Sequence, residues 1–329
     1  MSAEFVQLSL APIIIGVLAS IACAVLGNFL VLRRQSLIGD AVSHVVLPGI
    51  VGAFLVTGTV AAWPMLIGAT VAAIIAAVLI EVVRRVGRVE PGAAMGVVFT
   101  TLFALGVLLL EQSDASAVHL DVEHALYGNL ESLIWLDAAG WGSLLDPAAL
   151  AGLPPQVLRL FIVCLMVAIF VTVLWKELVV STFDPVFADS IGIRTGAVSF
   201  GLVVMVAIAA VMAFDAVGSI IVIAMFVCPP AAARLMTDRL VPQISWSIAF
   251  AVLSAVLGYV LAGYGPLWFG AQNSVSAAGM IATVSGVILG LACLFGPRRH
   301  GSKLSAQNRS TAHNTSLDQD TPSAIRSLL

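Results

Sequence analysis

The sequence predicts an all-α fold, a polytopic transmembrane helix bundle, and three observations carry that prediction. Of 329 residues, 60% are hydrophobic and only 10% charged, whereas a soluble domain carries about 25% charged residues. The mean hydropathy is +1.08. The apolar residues gather into runs long enough to cross a hydrocarbon core of about 30 Å, which takes about 20 helical residues. These runs are uniformly apolar instead of alternating, so helices are expected and not barrel strands, because backbone in lipid must satisfy its hydrogen bonds within the segment.

In chain order the expected spans are Leu10 to Leu32, Ala41 to Thr57, Trp63 to Val83, Ala93 to Leu110, Val157 to Trp175, Gly196 to Phe214, Val217 to Leu235, Ile244 to Gly263 and Val275 to Phe295. Eight to nine spans fit, and nine are favoured. Cytoplasmic loops retain Arg and Lys. With the N-terminus outside and the C-terminus inside, nine crossings put Arg33, Arg34, Arg84, Arg85, Arg88, Lys176, Arg194, Arg234, Arg239, Arg298, Arg299 and Lys303 on one side. Only Arg159 falls opposite. The N-terminal MSAEFVQLSL has no basic region typical of a cleaved leader, so the first run is expected to persist as a span.

One transmembrane domain is thus expected over residues 1–300, with a polar, disordered cytoplasmic tail over 301–329 rich in Ser, Thr, Asn and Gln. The loop 111–156 holds seven acids and is placed outside, with Trp135 and Trp141 resting at headgroup level. The four cysteines, Cys23, Cys164, Cys228 and Cys293, lie inside apolar runs with no CxxC spacing, as small packing residues do. GxxxG spacings at Gly92 to Gly96 and Gly286 to Gly290 are read as close helix packing. With a net charge of −3 and no basic face, nothing points to nucleic acid.

Chemistry concentrates in RRQSLIGDAVSHVVLPG, residues 33–49. Asp40 and His44 stand four apart, on one helical face. An ionisable side chain within a bilayer costs about 3 kcal/mol even on insertion scales and as a rule faces a cavity. Carboxylate and neutral imidazole suit Mn²⁺, Zn²⁺ or Fe²⁺, and the lack of thiolates leans toward Mn²⁺. Pro48 and Gly49 free carbonyls nearby. Spacing alone leaves a second reading open, in which Asp40 caps the span and His44 rests at the interface. In the outer loop, His119, Asp121, Glu123 and His124 form HLDVEH, a patch for arriving metal or for a docking protein, with a solvated acidic loop as the alternative. Asp215, between the sixth and seventh spans, is a further acid at the outer mouth and a gate candidate. The chain contains no Gly-Lys pair, hence no phosphate-binding G-x-x-x-x-G-K-[ST] loop, and no activated nucleophile.

Four stretches carry a resemblance: LRRQSLIGDAVSHVVLPGI at 32–50, ALYGNLES at 125–132, STFDPVFADSIGI at 181–193 and VGSIIVIAMFVCPPAAARLMTDRL at 217–240. In this order they resemble the membrane permeases of manganese and zinc ABC importers, the ABC-3 type, related to the permeases for vitamin B12 and iron chelates. The resemblance implies metal coordination by Asp40 and His44. It implies a coupling helix at 183–193 that engages an ATPase subunit, with Phe183 and Phe187 as apolar contacts, Asp184 and Asp189 on the rim and Gly192 at its end. It also implies a transporter subunit without enzyme activity of its own, ATP hydrolysis on a separate chain, and divalent metal as transported substrate with no permanently bound cofactor. The implied partners are an external metal-binding protein and a second permease, identical or paralogous, in a bacterial inner membrane. Two alternatives stay open: an ABC permease for a chelate or organic solute, and a proton-coupled secondary metal transporter using Asp40 and His44.

Overall fold

Proline and glycine set many of the helix boundaries. The structure, a computed structural model, describes residues 2–59, 61–112, 130–138, 140–268 and 275–297. Helix α1 (Ala11–Leu32) continues a π-helical stretch, Val6–Leu10. It is followed by α2 (Ile38–Thr57), α3 (Ala62–Gly87) and α4 (Pro91–Gln112). After the outer segment come α5 (Pro155–Val173), α6 (Trp175–Phe183) and α7 (Pro185–Ser190), then α8 (Thr195–Met236), α9 (Leu240–Trp268) and α10 (Ala277–Phe295). Pro91, Pro155 and Pro185 open their helices, where a missing N–H costs nothing, and Gly58, at φ 63°, closes α2.

Eight helices among the described residues are long and apolar enough to span a membrane. One of them, α8, has 42 residues, and a straight helix of that length would reach about 63 Å, twice the hydrocarbon core. Gly218 interrupts it with φ 78° and ψ 170°, a conformation essentially confined to glycine. Contacts give the direction of the two arms. Ser199 bonds Arg33 at the end of α1, Asp215 bonds Arg159 at the opposite end of the bundle, and Phe226 and Pro230 are back against Gly27 of α1. The chain therefore turns back at Gly218. The two arms correspond to the sixth and seventh spans expected from the sequence, which makes nine apolar crossings among the described residues.

Both arms of α8 and α1 form the middle of the core, where Ile15, Leu26, Phe29, Leu202, Val206 and Met225 are fully buried. Pro230 lacks the N–H that would bond the Phe226 carbonyl. A methyl group at Gly27 would fall on that oxygen, so glycine is what lets the two backbones meet. Helices α2 and α3 make a second close contact. A methyl at Gly49 would lie 2.6 Å from the Ala69 Cα and the Gly68 carbonyl oxygen. The GxxxG pairs do not behave this way: Gly92, Gly96, Gly286 and Gly290 have open space where a side chain would stand. Small residues at that spacing mark a packed seam only when a partner helix covers them.

Asn28, Gln243 and Ser247 are fully buried and satisfy one another. Asn28 Nδ2 donates to Ser247 Oγ (2.6 Å) and to the Ala24 carbonyl (2.7 Å), and Gln243 Nε2 donates to Asn28 Oδ1 (3.0 Å). This network ties α1 to α9. In the outer segment Trp135 is fully buried beside Val6, Ala11 and Ala138, its indole donating to the Ala149 carbonyl at 2.8 Å. Trp135 thus satisfies its polar edge on a protein acceptor, while Trp141 is 56% exposed, its ring 6.3 Å from that of Phe5. All four cysteines are free thiols.

Candidate functional site

Helix α2 starts at Ile38, earlier than its hydropathy indicates, and Gly39 in its first turn lies against the Phe226 ring, where a Cβ would stand 2.8 Å from a ring carbon. Both Asp40 and His44 thus stand within the helix. Leu37 is its N-cap residue and no side chain caps it, which removes the reading of Asp40 as a cap. His44 Nε2 lies 3.5 Å from Asp40 Oδ1, and the two side chains are 42% and 35% exposed. His44 stacks on Phe99 at 5.3 Å and meets the edge of Phe103 at 5.7 Å. The aromatic walls belong to α4, and Gly106 of the same helix presses on Pro48. Pro48 has no N–H to offer the carbonyl four residues earlier, so the His44 carbonyl loses its helical donor beside the imidazole. Phe99 and Phe103 are the residues sequence reasoning missed; their i, i+4 spacing on the fourth span was the available signal.

By helical rise, His44 sits about 9 Å above the first residue of α2, nearer the Arg33 end than the Gly58 end. The basic-residue rule makes the Arg33 end cytoplasmic. Asp215 is far from this pair. Its Oδ2 lies 3.2 Å from Arg159 Nη1, and that guanidinium stands 4.9 Å over the Trp63 ring. The pairing explains why one arginine sits on the outer side. His119, Asp121, Glu123 and His124 lie outside the described residues, as does the tail from 301. Among the described residues no three His, Cys, Asp or Glu side chains gather as a metal cage.

Helix α7 is built to hold its shape. Asp184 Oδ1 accepts from the Phe187 amide at 2.9 Å, capping the first turn. At the other end Gly192, at φ 85°, lets the Ile193 amide reach the Ala188 carbonyl (3.0 Å) and its own amide the Asp189 carbonyl (3.1 Å), a Schellman closure. Asp189 Oδ1 accepts from the Thr195 hydroxyl at 2.8 Å, fixing α7 to the start of α8. Ala188 is buried, while Phe183, Val186, Phe187 and Ile191 are exposed by 53%, 79%, 53% and 53%. Asp184 and Asp189 thus spend their carboxylates inside the segment. Val186 and Ile191 join the two phenylalanines on an outward apolar surface.

Ionisable side chains inside a membrane helix, with an apolar surface turned outward at one end of the bundle, place the chain in the class of polytopic transport permeases. More narrowly, residues 5–137 and 149–296 match the ABC 3 transport family, and the chain belongs to it. It is 39% identical over 282 residues to the manganese transport system membrane protein MntD of Bacillus subtilis, covering 86% of this chain and 90% of that one. It is 36% identical to the zinc transport system membrane protein TroD of Treponema pallidum, covering 88% and 74%. The fold is also that of a chain in PsaBC from Streptococcus pneumoniae in complex with Fab, with a TM-score of 0.72 at 24% identity, covering 93% of this chain and all of that one.

Proposed function

We propose that this chain is the membrane subunit of an ATP-driven importer of divalent metal ions, Mn²⁺ or Zn²⁺, with Asp40 and His44 lining the ion's path. The observation that carries the proposal is the pair itself: a carboxylate oxygen and an imidazole nitrogen 3.5 Å apart, half-exposed within a membrane helix. Ligand atoms at that separation can both bond one ion at about 2.1 Å. Asp40 offsets part of the ion's charge, and the neutral imidazole supplies nitrogen. The freed His44 carbonyl offers a further oxygen, and the Phe99 and Phe103 rings leave one side of the site dry.

The outward apolar surface of α7 is the docking point for a separate ATPase, whose nucleotide-driven movement reaches the membrane helices through this segment. Two ligands do not fill the shell of a first-row ion. Water, a second permease in a dimer, or both complete it, and an external metal-binding protein delivers the ion to the outer mouth. The names of the relatives, manganese and zinc transport proteins, support this cargo; a bacterial inner membrane suits it.

Uptake into proteoliposomes holding the permease with its co-purified ATPase tests the proposal. Free Mn²⁺ or Zn²⁺ enters only with ATP and in preference to a chelate. Uptake of the chelate alone, or uptake driven by a proton gradient without the ATPase, contradicts it.

A further inference from the structure

Arg33 caps the end of α1, seven residues before Asp40, and its guanidinium is spread over both flanks of α7. Nε donates to Thr182 Oγ1 at 2.9 Å, Nη2 to Ser181 Oγ at 2.8 Å and Nη1 to Ser199 Oγ at 2.8 Å. Ser181 and Thr182 end α6, just before α7; Ser199 belongs to the first turns of α8, just after it. All three acceptors are neutral hydroxyls. Burial lowers the arginine to about 10, so it stays protonated at neutral pH. A planar fork with donors in three directions bridges two helices as no lysine can.

The chain from Arg33 to α2 is stiff. Arg34 adopts φ 58°, and the Gln35 amide reaches the Leu30 carbonyl (2.8 Å) while the Arg34 amide reaches that of Val31 (3.2 Å). The Ile38 amide then bonds the Gln35 carbonyl at 3.1 Å. No slack loop separates the arginine from the helix that bears Asp40 and His44. The fork thus joins α6 and the start of α8, on either side of α7, to the segment that opens into α2.

We propose that Arg33 is the positioning residue that transmits movement of α7 to the Asp40–His44 pair. This rests on the reading of α7 as the ATPase dock and of the pair as the metal path. The test uses the complete permease–ATPase complex in proteoliposomes with Mn²⁺ as probe, measuring hydrolysis and uptake on the same preparation. Arg33→Ala keeps ATP hydrolysis near wild type, while Mn²⁺ moved per ATP falls about tenfold, a magnitude usual for coupling between sites. Arg33→Lys recovers part of the ratio. Ser199→Ala lowers it, and adding Ser199→Ala to Arg33→Ala lowers it no further, because both cut one link.

A wild-type ratio in Arg33→Ala overturns the proposal. So does a parallel fall of hydrolysis and uptake with the amount of assembled complex, which would make Arg33 a structural brace only. His44→Ala is run alongside. If that variant imports Mn²⁺ normally, the reading of the pair fails, whereas the ratio in Arg33→Ala still reports whether α7 movement reaches the membrane helices through this arginine.

Discussion

Asp40 and His44 contribute different chemistry, and their variants separate it. Replacing Asp40 by Asn keeps an oxygen but removes the charge, so metal affinity falls less than with Ala. His44→Ala removes the nitrogen donor, so Mn²⁺ affinity measured by calorimetry falls below that of the wild-type protein. Arg159 and Asp215 make a second case, an ion pair 3.2 Å apart that variants can sort between a packing role and a gate. Arg159→Ala leaves Asp215 without its guanidinium partner and Trp63 without its cation, and lowers stability by about 1 kcal/mol, visible as a lower Tm of the purified permease. Asp215→Asn in that background restores part of it, and normal transport by the double variant excludes Asp215 as an obligatory gate. The spacing of Asp40 and His44 was legible in the sequence. The three bonds of Arg33 were not, because their partners lie about 150 residues away and no local period brings them together.

Helices were legible where the physics is local. Apolar runs, prolines at first turns and the basic flanks set the number and direction of the spans. The boundaries moved where tertiary contact extends a helix, as at Ile38, where Gly39 meets Phe226. The turn at Gly218 was legible as a break between two runs, yet the backbone passes from one arm to the other through a single residue. Gly218→Ala places a side chain at φ 78°, ψ 170° and costs about 1–3 kcal/mol, read as reduced thermal stability with the inner ends of the two arms displaced. The glycines that matter for packing were not distinguishable by spacing. Gly49→Leu should separate α2 from α3 and abolish assembly, whereas Gly286→Leu, facing open space, should leave the fold intact. Thermal unfolding in detergent compares the two directly.

At the scale of the whole molecule the parts line up along one axis. The exposed apolar surface of α7, the Arg33 fork and the first turn of α2 lie toward one end of the bundle, the Asp40–His44 pair follows one helical turn further on, and Gly218 with the Arg159–Asp215 pair lies at the opposite end. Family membership accounts for the bundle, while the carboxylate oxygen and imidazole nitrogen 3.5 Å apart carry the proposed ion path. The most direct measurement is ATP-dependent Mn²⁺ and Zn²⁺ uptake by complexes carrying Asp40→Ala or His44→Ala, normalised to permease that has reached the membrane and assembled with its ATPase. Losing even an outer partner of a metal ligand costs about 10- to 100-fold, so each variant should lose about a hundredfold or more while ATP hydrolysis persists. Import at the wild-type rate by either variant would contradict the account.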